Sequence, residues 1–273
     1  MPTLLSKYHP PGESGRTQAI SPESAGWGYV GFQVFELKAG QSLKQETGDR
    51  EVCLVLVAGR ASVRTHKLSL DDIGERMSPF ERKKPYAVYV PNGDYFEVTA
   101  TTDLELAVCE APGKGNHPAR LIAPGDIDAE SRGKGFNRRT VHNILPDDKP
   151  ADSLLVVEVF TDEGNTSSYP PHKHDSDNSP AETYLEETYY HRIDPPQGYV
   201  FQRVYTDDRQ LDESMAAYDK DVVMVPKGYH PVVPVAGYNS YYLNVMAGPV
   251  RRWCFTWEKG HDWINGPDYP RAT

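Results

Sequence analysis

Short apolar runs broken by proline and glycine set the pattern of this chain. Runs rich in Val, Tyr, Phe and Leu fall at 31–37, 52–57, 86–90, 104–108, 154–160, 199–205, 222–225 and 241–246, each bounded by turn residues. Segments of this length and character predict strands, and their repeated spacing predicts a sandwich or barrel. Sustained 3.6-residue periodicity is almost absent, and 71–78 is the best helical candidate. The expected fold class is all-β.

The pattern also repeats. Val34-Phe35 followed by Gly40 returns as Val159-Phe160 followed by Gly164, an offset of 125 residues from Phe35 to Phe160. Val88-Tyr89-Val90-Pro91-Asn92-Gly93 returns as Val223-Met224-Val225-Pro226-Lys227-Gly228, an offset of 135 from Pro91 to Pro226. One unit therefore occurs twice, with about ten extra residues inside the second copy. Two copies are too few for a solenoid, so the expectation is two tandem β-barrels. The first covers 1–112 and the second 151–273. The Gly-, Pro- and charge-rich stretch 113–150 joins them and adds a strand near 140–145.

Composition narrows the partners. The formal net charge of −10 offers no electrostatic footprint for nucleic acid or an anionic membrane. No apolar run approaches the roughly 20 residues of a membrane-spanning helix. The N-terminus lacks the basic-then-apolar order of a secretory signal. Three cysteines, an odd number set in or beside strand-like runs, read as buried thiols in a reducing compartment. The expectation is a cytoplasmic protein with a small-molecule partner. A homo-oligomer is compatible with so many sheet edges.

The second copy carries the chemistry. Tyr169-Pro170-Pro171-His172-Lys173-His174-Asp175 places two histidines on one face of an extended segment. In Leu185-Glu186-Glu187-Thr188-Tyr189-Tyr190-His191, the residues Glu187, Tyr189 and His191 share one face, and Glu186 and Tyr190 the other. Pro226-Lys227-Gly228-Tyr229-His230 is a tight turn that delivers a further histidine. Three imidazoles and one carboxylate suit a divalent transition metal such as Zn, Mn, Fe, Co or Ni. The first copy is an internal control. Its matching turn, Pro91-Asn92-Gly93-Asp94-Tyr95, has no histidine, and neither does 43–49. Folding alone does not require these groups.

The His-x-His, Glu and Pro-x-Gly-x-His pattern resembles the cupin superfamily. Stretches 151–160, 169–175, 185–192, 201–209, 225–231 and 241–249 resemble, within it, the bicupin family of 5-deoxy-glucuronate and 5-keto-4-deoxyuronate isomerases. The resemblance implies two cupin-type, jelly-roll-like barrels and one divalent metal ion, zinc first. It further implies conversion of 5-deoxy-D-glucuronate to 5-dehydro-2-deoxy-D-gluconate in inositol catabolism. The implied ligands are His172, His174, Glu187 and His230. Cupins usually place the glutamate four or five residues after the second histidine, whereas Glu187 follows His174 by thirteen. The ten-residue excess falls at 176–184 and accounts for the gap. Glu186 stays open as the ligand if a bulge shifts the strand by one residue.

An aldose–ketose isomerisation moves a proton from C2 to C1, and His191 and Tyr189 are the expected shuttles. A metal-mediated hydride shift would need neither. A uronate carboxylate calls for a cation, for which Arg203 is the choice; Tyr242 and Asn244 would bind hydroxyls. Lys173 is expected in solvent, and 132–139 is read as a solvated connector. Two alternatives are a sugar-binding bicupin without turnover and an Fe(II) dioxygenase of the same fold.

Overall fold

The computed structural model describes residues 3–270, so the outermost ends of both expected barrels lie outside the described residues. The chain divides into two compact units, one of Tyr8–Asp128 with Asn143–Val156, the other of Met1–Lys7, Ala129–His142 and Val157–Thr273.

In the first unit a six-stranded sheet runs in the order Arg120–Ile122, Ala87–Val90, Arg50–Ala58, Leu104–Pro112, Gly31–Leu37, Arg16–Ile20. A four-stranded sheet runs Ser42–Glu46, Tyr95–Ala100, Ala61–Arg64, Ser69–Ile73. Alternate residues of the central strand, Val52, Leu54 and Leu56, pack with Val88 and Val90 from one sheet and Val63, Phe96 and Val98 from the other. This cluster is aliphatic and aromatic.

The second unit has a seven-stranded sheet in the order Leu5–Ser6, Val222–Val225, Glu186–Asp194, Asn239–Ala247, Leu155–Thr161, Arg139–Leu145, Asp128–Arg132. Two smaller sheets accompany it: Asp212–Tyr218, Tyr199–Tyr205, Val232–Pro234, and the pair His172–Lys173 with Thr256–Trp257. Each unit is thus built of separate sheets rather than a closed barrel.

The eight expected strands and the one near 140–145 all form, with ends shifted by a few residues. The register aligns the two copies. Val52 stands opposite Val90 and Glu187 opposite Val225, where Val90 and Val225 each precede the repeated proline. Val52, Leu54 and Leu56 therefore occupy the places that Glu187, Tyr189 and His191 hold in the second unit.

Two expectations are corrected. Residues 71–78 are not helical: Ser69–Ile73 is an edge strand paired with Ala61–Arg64, and Asp71 and Asp72 form ion pairs with Arg64 and Arg60. The units also cross the boundaries expected at 112 and 151. Leu5 and Ser6 pair with Val223 and Val222, and the Thr166 N–H donates to the Phe136 carbonyl. In the other unit, the N–H groups of Asp152, Ser153 and Leu154 all donate to Glu51. Composition marked 113–150 as a connector, yet backbone hydrogen bonding divides it between the units.

Candidate metal centre

Three local structures bring the histidines together. The strand pairing of His172 with Trp257 fixes the His-x-His segment. Glu187 comes from the centre of the seven-stranded sheet, flanked by Val225 and Met246. His230 follows a turn in which Gly228 has φ +91°, and a Cβ there would lie 2.4 Å from the Tyr205 carbonyl oxygen. Glycine is required at that point.

Ligand atoms of His172, His174 and His230 all lie within 4.8 Å of one another, and all three side chains are buried. The Glu187 carboxylate joins them: its Oε2 is 3.0 Å from His174 Nε2 and 3.2 Å from His230 Nε2. Glu186 points to the opposite face, 3.5 Å from the Tyr184 hydroxyl. The sheet stays in register across Glu186–Asp194, so no bulge exchanges the two glutamates.

The orientations suit a cation. His174 Nδ1 contacts the Leu185 carbonyl at 3.0 Å and His230 Nδ1 the Gly228 carbonyl at 2.8 Å. Such contacts favour a proton on Nδ1 and direct each Nε2 into the cluster, toward Glu187 and the place a cation would take. His230 Nε2 is buried with no aligned hydrogen-bond partner, as is His172 Nδ1. Unsatisfied buried nitrogens beside a carboxylate are the donor set a divalent ion would complete.

Burial disfavours the charged forms, but the neighbours decide. For Glu187, burial is outweighed by the His174 hydrogen bond and by the close His174 and His230 imidazoles, which bring its pKa down to about 2. Burial likewise opposes a charge on His174, yet Glu187 raises its pKa above the ordinary value. Burial and then the two other imidazoles push His172 well below.

Tyr189 and Asn244 stand opposite each other, as do His191 and Tyr242, so all four share the face of Glu187. The Tyr189 hydroxyl is 3.0 Å from Ser168 Oγ, which is 3.3 Å from the Tyr242 hydroxyl; Tyr242 also meets Ser167 at 2.7 Å. Burial, then Glu187 and Tyr242, hold the Tyr189 phenol well above its usual pKa. Asn244 spends its amide on the Thr188 carbonyl. His191 stacks on Tyr189 with ring centroids 6.0 Å apart and bonds Gln202 at 2.8 Å. Burial lowers it to about 4 against the pull of Gln202, so it is neutral at neutral pH.

Arg203 is not part of this group. Gln202 occupies the inward position, and the Arg203 guanidinium makes a bidentate pair at 2.7 Å with Asp212 on the outer face. Lys173 is not in solvent: its ammonium reaches Asp175 at 2.6 Å, Asp207 at 3.4 Å and Glu182 at 3.5 Å. Within 132–139 Asn137 and Arg139 are buried while Gly133, Gly135, Phe136 and Arg138 are exposed, so the segment is only partly solvated. A cavity of about 320 Å³ opens beside His172, lined by Arg132, Arg139, Tyr169, Trp253 and Trp257 among others. The serines behind the tyrosines, Gln202 and the aromatic wall carry no motif that marks them in the sequence.

The inserted loop is anchored by Glu182. Its Oε1 accepts from the Asp175 and Ser176 N–H groups and from Ser176 Oγ, each at 2.9 Å; its Oε2 accepts from Thr256 at 2.5 Å. Burial raises the carboxyl pKa, but these donors and Lys173 bring it below the usual range. A depressed folded-state pKa contributes stability that is present above the unfolded value of about 4.3 and lost as pH falls through the folded one. Glu182→Gln is therefore expected to cost about 1–3 kcal/mol at pH 7. In thermal melts the gap to the parent should shrink below about pH 4. An unchanged gap at pH 3.5 would contradict this account.

A model of the KduI/IolB family matches residues 4–264. The chain belongs to that family. It is 58% identical over 264 residues to the 5-deoxy-glucuronate isomerase of Geobacillus thermodenitrificans, covering 97% of this chain and 96% of that one. An IolB-like protein from Salmonella typhimurium LT2, of known crystal structure, matches with a TM-score of 0.94 at 62% identity, covering 96% and 99% of the two chains. The oxalate decarboxylase of Lactobacillus farciminis matches with a TM-score of 0.66 at 13% identity over 93% of this chain and 88% of that one. That last likeness concerns the fold alone, and the fold is the bicupin one. Among the described residues of this KduI/IolB chain, no helix is long and apolar enough to cross a membrane.

Proposed function

We propose that this chain is a 5-deoxy-glucuronate isomerase, converting 5-deoxy-D-glucuronate to 5-dehydro-2-deoxy-D-gluconate in the cytoplasm as a step of inositol catabolism. The observation that carries the reading is a buried cluster of three imidazoles and one carboxylate beside a cavity, in a chain so similar to a 5-deoxy-glucuronate isomerase.

His172, His174, Glu187 and His230 would hold one divalent ion, zinc first among Zn, Mn, Fe, Co and Ni, because four N and O donors close together suit it. When bound, the ion supplies Lewis-acid polarisation of the substrate's C1 and C2 oxygens. The protein's own groups do the rest. Tyr189, protonated at its Oη and next to Glu187, would give that proton to the C1 oxygen, take the C2 proton in exchange, and return it to C1 as the C2 hydroxyl loses its own. Tyr242 and Ser168 hold the Tyr189 hydroxyl in line. Tyr242 is also proposed to bind a substrate hydroxyl, while Asn244 supports the strand beneath it. His191 sits behind Tyr189, so its role is to position the tyrosine.

Proton NMR of the metal-supplied protein with 5-deoxy-D-glucuronate in deuterated water tests the reading. The expected result is loss of the aldose signals and growth of the ketose, with deuterium in its new hydroxymethyl group, the former C1 of the aldose, if the proton exchanges with solvent. No conversion with Zn, Mn, Fe or Co supplied would overturn it.

A further inference from the structure

We propose that Arg139 binds the carboxylate of the substrate and is the residue by which this site selects a sugar acid over a neutral sugar. The inference rests on the isomerase reading and extends it to specificity.

The cavity beside His172 contains two arginines that differ in their commitments. Arg132 pairs with Glu130 at 2.6 Å and lies 4.7 Å from the centre of the Trp253 ring. Arg139 has no carboxylate within ion-pair distance among the described residues, although only 9% of its surface is exposed. Its Nη1 donates to the carbonyls of Asn137 at 3.0 Å and Tyr169 at 3.3 Å. These two bonds fix the plane of the guanidinium, and among the described residues its Nε and Nη2 make no hydrogen bond.

A buried cation with no counter-charge is costly, and a fork held in one plane is the shape that takes a carboxylate by two parallel hydrogen bonds. The other nearby cations are occupied. Lys173 is held by three carboxylates, the Lys134 ammonium meets the Gly266 carbonyl, and Arg203 is paired with Asp212. His172 and Arg139 both line this one cavity. Phe255 and Trp257 lie 4.8 and 5.7 Å from the His172 ring and wall the space between with aromatic surface. A ligand with its reacting end at the imidazoles and an anion at its other end matches this arrangement.

The test compares kcat/KM for 5-deoxy-D-glucuronate and for 5-deoxy-D-glucose, which has a hydroxymethyl group in place of the carboxylate, in the metal-loaded enzyme. The parent should favour the acid by about 100-fold or more, as sites built around a buried polar partner do. In Arg139→Gln the acid should lose most of that advantage, chiefly through KM, while the neutral sugar changes by less than about threefold. Arg139→Lys should recover part of the preference because it restores the charge but not the fork. Metal content and melting temperature accompany each variant. An unchanged acid-to-neutral ratio in a folded, metal-containing Arg139→Gln would overturn the clamp. So would a parent enzyme that turns over both sugars equally, a result that does not depend on any variant folding. A parent inactive on both would overturn the isomerase reading itself.

Discussion

His174→Ala is expected to remove at least nine-tenths of bound metal and to lower turnover by about 10³-fold or more, the scale on which a Lewis acid contributes to catalysis. The imidazole is held on both sides: Nδ1 at the Leu185 carbonyl, Nε2 at Glu187. Its loss takes one of the four donors and leaves the Glu187 carboxylate buried with His230 as its remaining imidazole contact. The sheet ladders on either side of Glu186–Asp194 do not involve His174, so the far-ultraviolet circular dichroism should be unchanged. Metal analysis and a turnover assay on the same preparation decide the point. Full activity with normal metal content would exclude His174 from the ligand set.

The largest effect on stability should come from the other unit. Glu51 is fully buried and accepts four hydrogen bonds: from the Tyr89 hydroxyl at 2.6 Å and from the N–H groups of Asp152, Ser153 and Leu154 at 2.5–2.7 Å. Glu51→Ala strands four donors at once, three of them buried, and breaking such a network costs about 3–5 kcal/mol. The melting temperature should fall by roughly 10 °C, while metal per folded molecule stays the same because no proposed ligand lies in that unit. A shift of less than about 2 °C would mean that solvent reaches these donors.

Much of this was legible because the chemistry follows strand alternation. Glu187, Tyr189 and His191 share a face in the sequence, and they share one in the structure. The glycine of Pro226-Lys227-Gly228 turns the chain where its φ demands it. Alternation does not say which face is inside, however. Arg203 and Gln202 are neighbours on one strand, and only sheet packing determines that the glutamine enters and the arginine leaves. Arg139 was hidden for a different reason. The glycines and cations before it read as solvated loop, whereas its burial comes from bonds to Asn137 and Tyr169, the latter thirty residues on. The strand Ser69–Ile73 was masked by its aspartates, which an exposed edge tolerates.

The two interiors, equal in register and opposite in chemistry, obey different rules of substitution. At Val52, Leu54 and Leu56 the constraint is volume, and an exchange of one aliphatic residue for another of similar size is mild. At Glu187, Tyr189 and His191 volume is the lesser matter. Even Tyr189→Phe, which keeps the ring, leaves Ser168 without one of its hydroxyl partners. One copy is thus a packing problem and the other is held by geometry, so substitutions in this chain should be judged by a separate measure for each half.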